Sequence, residues 1–162
     1  MQTGVSYEDV SIRPDWRQLL IDELLSILAA VVLLIVGGLD GVPYHSVFFC
    51  VALALGFKVY YRIVYLRTML YTITGEQLVY EHGVFSRSRD YIELYRIVDY
   101  QESRTLMQRL LGVKTVTVYS TDKSDAVSDI LGVPAGMDLV GMLREKVEEC
   151  KRERNIYEIA NR

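Results

Sequence analysis

The side chains best suited to chemistry in this sequence are basic ones, and their chemistry is the binding of anions. Arg87 and Arg89 follow a turn at Gly83 and alternate, so on a strand both would point to one face. Guanidinium groups placed in this way can hold phosphate oxygens, including those of lipid headgroups. The acidic neighbours Asp90 and Glu93 favour a simpler interpretation, in which the two arginines keep a sheet edge from pairing with another chain.

Four more basic residues are candidates for the same chemistry. Arg96 could bind an anion or hold a strand end to carbonyls of the next turn, and we favour the second role. The other three lie within or beside the segment QRLL and would form a second anion-binding patch, ranked below the first because Glu102 is adjacent. The complete set of anion-binding candidates is Arg87, Arg89, Arg96, Arg104, Arg109 and Lys114.

Catalytic and metal-binding patterns are missing from the sequence. The chain beyond residue 66 has one histidine, His82, and no H-E-x-x-H, G-x-S-x-G, G-x-x-x-x-G-K-[ST] or G-x-G-x-x-G motif. Cys50 and Cys150 do not form a disulfide framework or a zinc-ligand spacing. We therefore expect a protein that is not an enzyme and that needs no metal or cofactor.

Two long apolar segments precede this basic region and indicate a membrane scaffold. The first reads LLSILAAVVLLIVGGL and the second VFFCVALALGFKVYYRIVY, with the break DGVP between them. Since a hydrocarbon core of about 30 Å needs roughly 20 residues of helix, we predict a transmembrane hairpin over residues 19–66, with spans at 19–39 and 46–66. The alternative is a pair of buried core helices in a soluble protein.

Charged and aromatic residues indicate how the hairpin is oriented. The Lys and Arg residues around it lie at the ends away from the short loop, so the positive-inside rule places both termini in the cytoplasm. Asp22 and Glu23 fall at the same level as Lys58 and Arg62, which favours either ion pairing across the hairpin or snorkelling toward the headgroups. The predicted interface residues are Trp16, Arg17, Lys58, Tyr60, Tyr61, Arg62 and Tyr65.

Small and polar residues in the spans are candidates for helix packing or for lining a pore. Glycines let helix backbones approach closely, and polar side chains within a span can line a path. Most of the polar residues lie near the ends of the spans, which favours a plain anchor. The candidates are Ser26, Gly37, Gly38, His45 and Gly56.

After a cytoplasmic tail at 1–18 and the hairpin, residues 67–162 have the pattern of a small β-rich domain. This part carries 14 Lys and Arg against 15 Asp and Glu, and the near-neutral balance argues against nucleic acid as a partner. A helical turn closed by Gly112 interrupts the strands, and Asp138 begins a C-terminal helix with an apolar stripe. The predicted strands are 68–74, 77–81, 87–93, 98–103, 113–121 and 126–133.

Four motifs in this region resemble a known family. They are YTIT-x-x-x-L, the turn GVFSR at 83–87, I-x-L-x-R-I at 92–97 and QRLLGV at 108–113. Together they are similar to the bacterial pleckstrin-homology-like domain that is flanked by membrane segments, over residues 69–143. Combined with the hairpin, the resemblance implies a membrane α-helical hairpin plus an α+β or all-β soluble domain, with about six or seven strands in bent antiparallel sheets capped by a C-terminal helix.

Two classes of function are compatible with these features. We expect a non-catalytic, self-associating interaction module at the inner membrane, with membrane lipids, further copies of itself and an unidentified protein as partners. The alternative is a homo-oligomeric channel or membrane effector gated by an anionic ligand: a nucleotide, an oligonucleotide or a lipid. A nucleotide or nucleic acid is expected as a partner only under this alternative. Direct lipid recognition around Arg87 and Arg89 is a third and weaker hypothesis.

Overall fold

The computed structural model describes residues 9–41, 43–121 and 126–153, and the fold below is that of these residues. Helix α1 spans Arg17–Gly37 and helix α2 spans His45–Thr68, and the two pack side by side as a hairpin. A Cβ on Gly37 would lie 3.0 Å from the Cβ of Phe48, so the backbones approach closely where α1 ends. The two helices cover the apolar segments of the sequence.

Large apolar side chains of this hairpin face outward. Leu25 on α1 and Leu53 on α2 are 81% and 76% exposed, and Phe57 is similarly open. Both helices are long and apolar enough to cross a membrane, and little of either is buried within the chain. They are therefore not the core of the neighbouring domain, and the interpretation as buried core helices is wrong for the single chain.

Two antiparallel sheets form the rest of the described fold, with α3 and α4 beside them. The first sheet has the order β1-β2-β3-β4 and the second has the order β5-β6-β7. The six predicted strands are confirmed to within two residues at both ends. The two predicted helices are also confirmed, the first ending before Gly112 and the second beginning after Asp138. The bounds are Val10–Ile12, Leu70–Ile73, Gln77–His82, Ser88–Glu93, Ile97–Ser103, Val113–Ser120 and Val127–Pro134 for β1 to β7, and Leu106–Leu111 and Leu139–Glu153 for α3 and α4.

The short helix α3 is defined by its two ends. The Thr105 hydroxyl accepts a hydrogen bond from the Gln108 N–H, and the Gln108 side chain accepts one from the Thr105 N–H, which together form a capping box. At the other end Gly112 adopts a left-handed conformation with φ 70°, as a helix-terminating glycine does. These local signals hold a single turn and a half of helix between β5 and β6.

The core lies between the two sheets and α4. Alternate residues of β6, Val116 and Val118, are fully buried, as expected for a strand with one face inward. Helix α4 presents a buried stripe to the sheets and contacts the 3-10 turn at Leu94–Arg96. The stripe consists of Leu139, Leu143, Val147 and Cys150.

Strand β1 is a feature that the sequence analysis missed. Residues 1–18 were predicted to be a tail, but Val10 pairs with Ile73 and Ile12 pairs with Tyr71 of β2. The three-residue strand VSI is too short to show an alternating pattern. The hairpin is consequently an insertion between two neighbouring strands of one sheet.

Some predicted segments lie outside the described residues. They are residues 1–8 of the predicted tail, Val42 of the predicted loop, and residues 122–125 and 154–162 of the predicted domain.

Candidate membrane-facing site

The base of the hairpin is hydrogen-bonded to the sheet domain. The N–H of Asp15 donates to the carbonyl of Gly132 on β7 at 2.9 Å, and the Arg17 guanidinium donates to the carbonyl of Leu111 at 3.1 Å. Gly132 has φ 65°, and a Cβ there would lie 2.9 Å from the Asp15 nitrogen. Only glycine combines this conformation with this close approach. The start of α1 is thus fixed against β7 and the end of α3. We call these contacts between the hairpin and the domain the joint.

Two buried glutamines extend this joint into the hairpin. The Gln108 amide donates to the Gln18 side-chain oxygen at 3.1 Å and to the Thr115 hydroxyl at 2.8 Å. The Gln18 amide in turn donates to Asp22 at 2.8 Å. A buried amide that lost such a partner would cost about 1–3 kcal/mol. The pair therefore holds the hairpin and the domain in one relative position.

Ion pairs link the two helices just above the joint. Glu23 is only 3% exposed, and its carboxylate lies 2.9 Å from Lys58 Nζ and 3.5 Å from Arg62 Nε. Asp22 lies 3.3 Å from Arg62, and Lys58 also donates to the Ser26 hydroxyl at 2.9 Å. The predicted ion pairing across the hairpin is confirmed. Because opposite charges meet here, the cost of burying Glu23 is reduced.

An apolar ridge lies at the same base. Helix α3 contacts α1, and its side chains Leu106, Met107 and Leu110 are exposed. Trp16, the residue before α1, is 65% exposed. Clustered exposed apolar side chains mark surfaces that contact a membrane or a protein.

A groove of about 600 Å³ lies between the start of α1 and the end of α2. Its apolar walls come from both helices, and two arginines from different elements line it. Neither Arg13 nor Arg67 forms a side-chain hydrogen bond or ion pair with the described residues. The groove is lined by Arg13, Pro14, Trp16, Leu19, Ile63, Leu66 and Arg67.

The predicted interface tyrosines have two different surroundings. Tyr60 and Tyr61 are exposed on α2. Tyr65 faces the sheet, where its hydroxyl lies 3.4 Å from His82 Nδ1, and His82 Nε2 lies 3.0 Å from the Asp90 carboxylate. His82 thus connects the end of α2 to strands β3 and β4, as a structural histidine.

A tyrosine stack continues from this histidine into the core. The Tyr80 ring stacks on His82 and on Tyr71, with 4.7 Å between ring centroids in each case. Burial raises the pKa of Tyr71 to about 12, and burial likewise raises the pKa of Tyr80. The Tyr71 hydroxyl donates to the carbonyl of Asp129 at 3.0 Å. Both hydroxyls therefore stay protonated, and the Tyr71 hydroxyl links the first sheet to β7 of the second.

The basic residues of the sheets are largely matched by other side chains. Arg89 lies 2.9 Å from Glu81, its partner across β3 and β4, and Arg87 precedes β4, so the two arginines do not alternate along that strand. Arg96 donates to the Tyr95 hydroxyl at 3.1 Å. No cluster of available cations forms among the described sheet residues.

The second predicted patch is built around one carboxylate. Glu102 contacts both Lys114 and Arg104 at 2.6 Å. The hydrogen bond from Lys114 is the largest cause that lowers the pKa of Glu102. The Arg109 side chain is exposed and has no partner among the described residues. Lys114 is buried by the ion pair and is not accessible to a ligand.

The packing and pore candidates do not share one surface in the single chain. Ser26 pairs with Lys58, Gly37 packs inside the hairpin and Gly38 follows the last residue of α1. His45 is exposed at the start of α2. A Cβ on Gly56 would meet no described atom within 4 Å, so this glycine lies on an open outer face.

Two elements of the site were not anticipated from the sequence. The Gln18–Gln108 contact joins residues far apart in the chain, and the available signal was a polar amide at the start of an apolar run and another inside the QRLLGV motif. The second element is Arg13 in the groove, because the sequence analysis used this residue only to orient the hairpin.

Within the described residues, no group of three or more His, Cys, Asp and Glu side chains is arranged to hold a metal ion.

Comparison with known proteins gives one match. No curated protein and no solved structure is similar enough to count as a match. The bacterial PH domain family matches residues 23–151, which include most of the hairpin, strands β2 to β7 and nearly all of α4. This range covers most of the 162 residues. Since the match extends over far more than half of the chain, the chain belongs to the bacterial PH domain family.

Proposed function

We propose that the protein is a non-catalytic interaction module anchored in a bacterial inner membrane by the hairpin, with both termini in the cytoplasm. The observation that carries this proposal is an apolar, outward-facing hairpin whose base is hydrogen-bonded to the sheet domain. An exposed apolar surface of this length is unfavourable in water and favourable in a bilayer.

The dimensions of the hairpin fit a bilayer. Helix α1 has 21 residues, which at 1.5 Å per residue gives about 31 Å, close to the hydrocarbon thickness of about 30 Å. With α1 across the core, Trp16 and the α3 ridge lie at the headgroup level, where an aromatic ring is favourable. The joint then keeps the sheet domain close to the membrane surface.

Anchoring of this kind gives the domain a function without catalysis. A domain held near a surface meets a second membrane-associated molecule at raised effective concentration, so a weak contact is sufficient. The sheet cations are matched by carboxylates and aromatic rings, which favours a protein partner over a phosphate ligand on the sheets. The partner surface is the exposed face of the sheet domain.

Self-association through α2 is part of this proposal. A shallow, almost wholly apolar groove of about 370 Å³ runs along the outer face of α2, lined by Ser46, Val47, Cys50, Val51 and Ala54. Small side chains four residues apart let a second helix approach closely within a bilayer. A gated channel has less support, because Lys58 and Ser26 pair with each other inside the chain and do not line an open path.

Site-directed labelling tests the anchor. In a chain with both native cysteines replaced by alanine, Asp40→Cys in the loop and Gly136→Cys after β7 each offer one thiol at an exposed position. We expect a membrane-impermeant maleimide to label Asp40→Cys in intact cells and Gly136→Cys only after lysis. Release of the protein by alkaline carbonate, or the reverse labelling pattern, would contradict the proposal.

Crosslinking tests the self-association separately. Cys50 is exposed in the α2 groove, so a bismaleimide should link two copies in membranes from a Cys150→Ala strain. The control moves the thiol to another exposed position of α2 with Cys50→Ala and Leu53→Cys. Equal crosslinking at both positions, or none at Cys50, would count against an α2 interface and would leave the anchor intact.

A further inference from the structure

The groove at the base of the hairpin brings together two basic side chains that have no partner among the described residues. Arg89 and Lys114 on the sheets each contact a carboxylate within 3 Å, and the hairpin cation Lys58 does so too. Arg13 and Arg67 are exposed and have no such partner among the described residues. Two positive charges therefore face the same groove without a counter-charge from the described residues.

The walls of the groove have the opposite character. Leu19 comes from the first turn of α1, and Ile63 and Leu66 come from the last turns of α2. A volume of about 600 Å³ is enough for a headgroup and the first carbons of an acyl chain, and it is within the usual range of ligand pockets. A small soluble anion would use the arginines but would leave these apolar walls in contact with water.

The position of the groove selects its occupant. If the hairpin is inserted as proposed above, on which this inference rests, the groove opens at the headgroup level beside Trp16. Every molecule that can reach this level from the bilayer carries a polar head above apolar chains. Phosphate oxygens match the donor geometry of a guanidinium, and a net negative lipid is attracted by two of them.

We infer that this groove binds one anionic diacyl phospholipid from the inner leaflet. Arg13 and Arg67 hold its phosphate, and Leu19, Ile63 and Leu66 contact its glycerol and upper acyl carbons. Trp16 lies beside the bound lipid at the membrane interface. The lipid completes the base of the hairpin and supplies the counter-charge that the described residues do not.

Trp16 is the single tryptophan of the chain and lines the groove, so it reports directly on the occupant. The full chain is reconstituted in phosphatidylcholine nanodiscs that contain phosphatidylglycerol or phosphatidylethanolamine brominated on the acyl chains. Bromine quenches tryptophan fluorescence at short range, so quenching measures which lipid occupies the groove. We expect phosphatidylglycerol to be preferred over phosphatidylethanolamine by on the order of tenfold in relative association.

Paired variants assign the site. Arg13→Gln with Arg67→Gln should abolish the preference, and Arg144→Gln with Arg152→Gln on α4, which changes the net charge equally, should keep it. Equal quenching by the two lipids in the unmodified chain, or loss of the preference in the α4 control, would overturn the inference and leave the anchor standing. Quenching by neither lipid would contradict the anchor itself. Displacement of phosphatidylglycerol by glycerol phosphate would show a soluble-anion site and would also overturn the inference.

Discussion

The hairpin and the sheet domain place their apolar side chains in opposite ways. In the domain, residues such as Val116 and Leu143 are fully buried between the sheets and α4. In the hairpin, residues such as Leu25 and Leu53 are exposed over most of their surface. One chain is thus built for two surroundings, and the change takes place over the few residues around the Gln18–Gln108 contact.

The two regions treat a buried charge in the same way. Glu23 in the hairpin and Lys114 in the domain are each 3% exposed. Glu23 is matched by Lys58 and Arg62, and Lys114 is matched by Glu102. An ion pair of this kind stabilises little by itself, but loss of one partner leaves an uncompensated charge. In both regions, a buried charge therefore contacts an oppositely charged side chain.

The largest expected effect comes from one substitution made in both regions. Leu143→Ala removes a fully buried side chain and should lower the free energy of unfolding by about 2–5 kcal/mol, because it leaves a cavity. Leu53→Ala on the exposed face of α2 should change it by less than about 0.5 kcal/mol. Denaturant unfolding of the full chain in mild detergent measures both. Similar losses at the two positions would mean that the Leu53 side of α2, which lies outside the groove proposed for self-association, is also packed.

A smaller effect is expected from the buried charge of the hairpin. Glu23→Gln leaves Lys58 and Arg62 without their shared carboxylate and should cost about 2 kcal/mol, less than for a fully buried pair because both cations are partly exposed. Thermal unfolding in nanodiscs gives the cost. Adding Lys58→Met should recover part of it. No change on Glu23→Gln would favour the snorkelling interpretation, in which each cation reaches the headgroups alone.

A comparable effect is expected from the equivalent pair of the domain, and it depends on pH. The contact with Lys114 lowers the pKa of Glu102, so the folded state gains stability above the ordinary glutamate pKa and loses it as the pH falls through the lowered value. Glu102→Gln should cost about 2 kcal/mol at pH 7, because it leaves the buried Lys114 without its carboxylate.

The matched control for this pair is Glu81→Gln, which removes the partner of the exposed Arg89. This change should cost less, because an exposed ion pair contributes little. Unfolding midpoints at pH 7 and pH 3 measure both variants. An acid dependence as large in Glu102→Gln as in the unmodified chain would contradict the assignment.

The strands and helices could be predicted because their signals are local. Val116 and Val118 alternate with threonines in β6, and Gly112 follows α3 as a helix-terminating glycine. The matching of charges on the sheets could not be predicted, because it depends on strand register. Glu81 and Arg89 meet only because they are direct partners across β3 and β4. Without the register, Arg89 was indistinguishable from an available anion-binding residue.

The groove was beyond sequence reasoning for a related reason. Arg13 precedes the hairpin and Arg67 ends it, so the whole hairpin separates them in the chain. They line one groove because α1 and α2 return to the same place and because β1 joins the sheet beside β2. The short strand that carries this closure has no sequence pattern of its own. Long-range geometry of this kind requires the structure.

The insertion of the hairpin between β1 and β2 also sets an order on how the chain is made. Strand β1 leaves the ribosome first, but its partner β2 is synthesised only after both long helices. The first sheet therefore cannot be completed until α1 and α2 have folded back on each other. In a chain whose helices fail to come together, the edge of β2 stays unpaired and open to other strands. Completion of the first sheet therefore requires that the hairpin has formed.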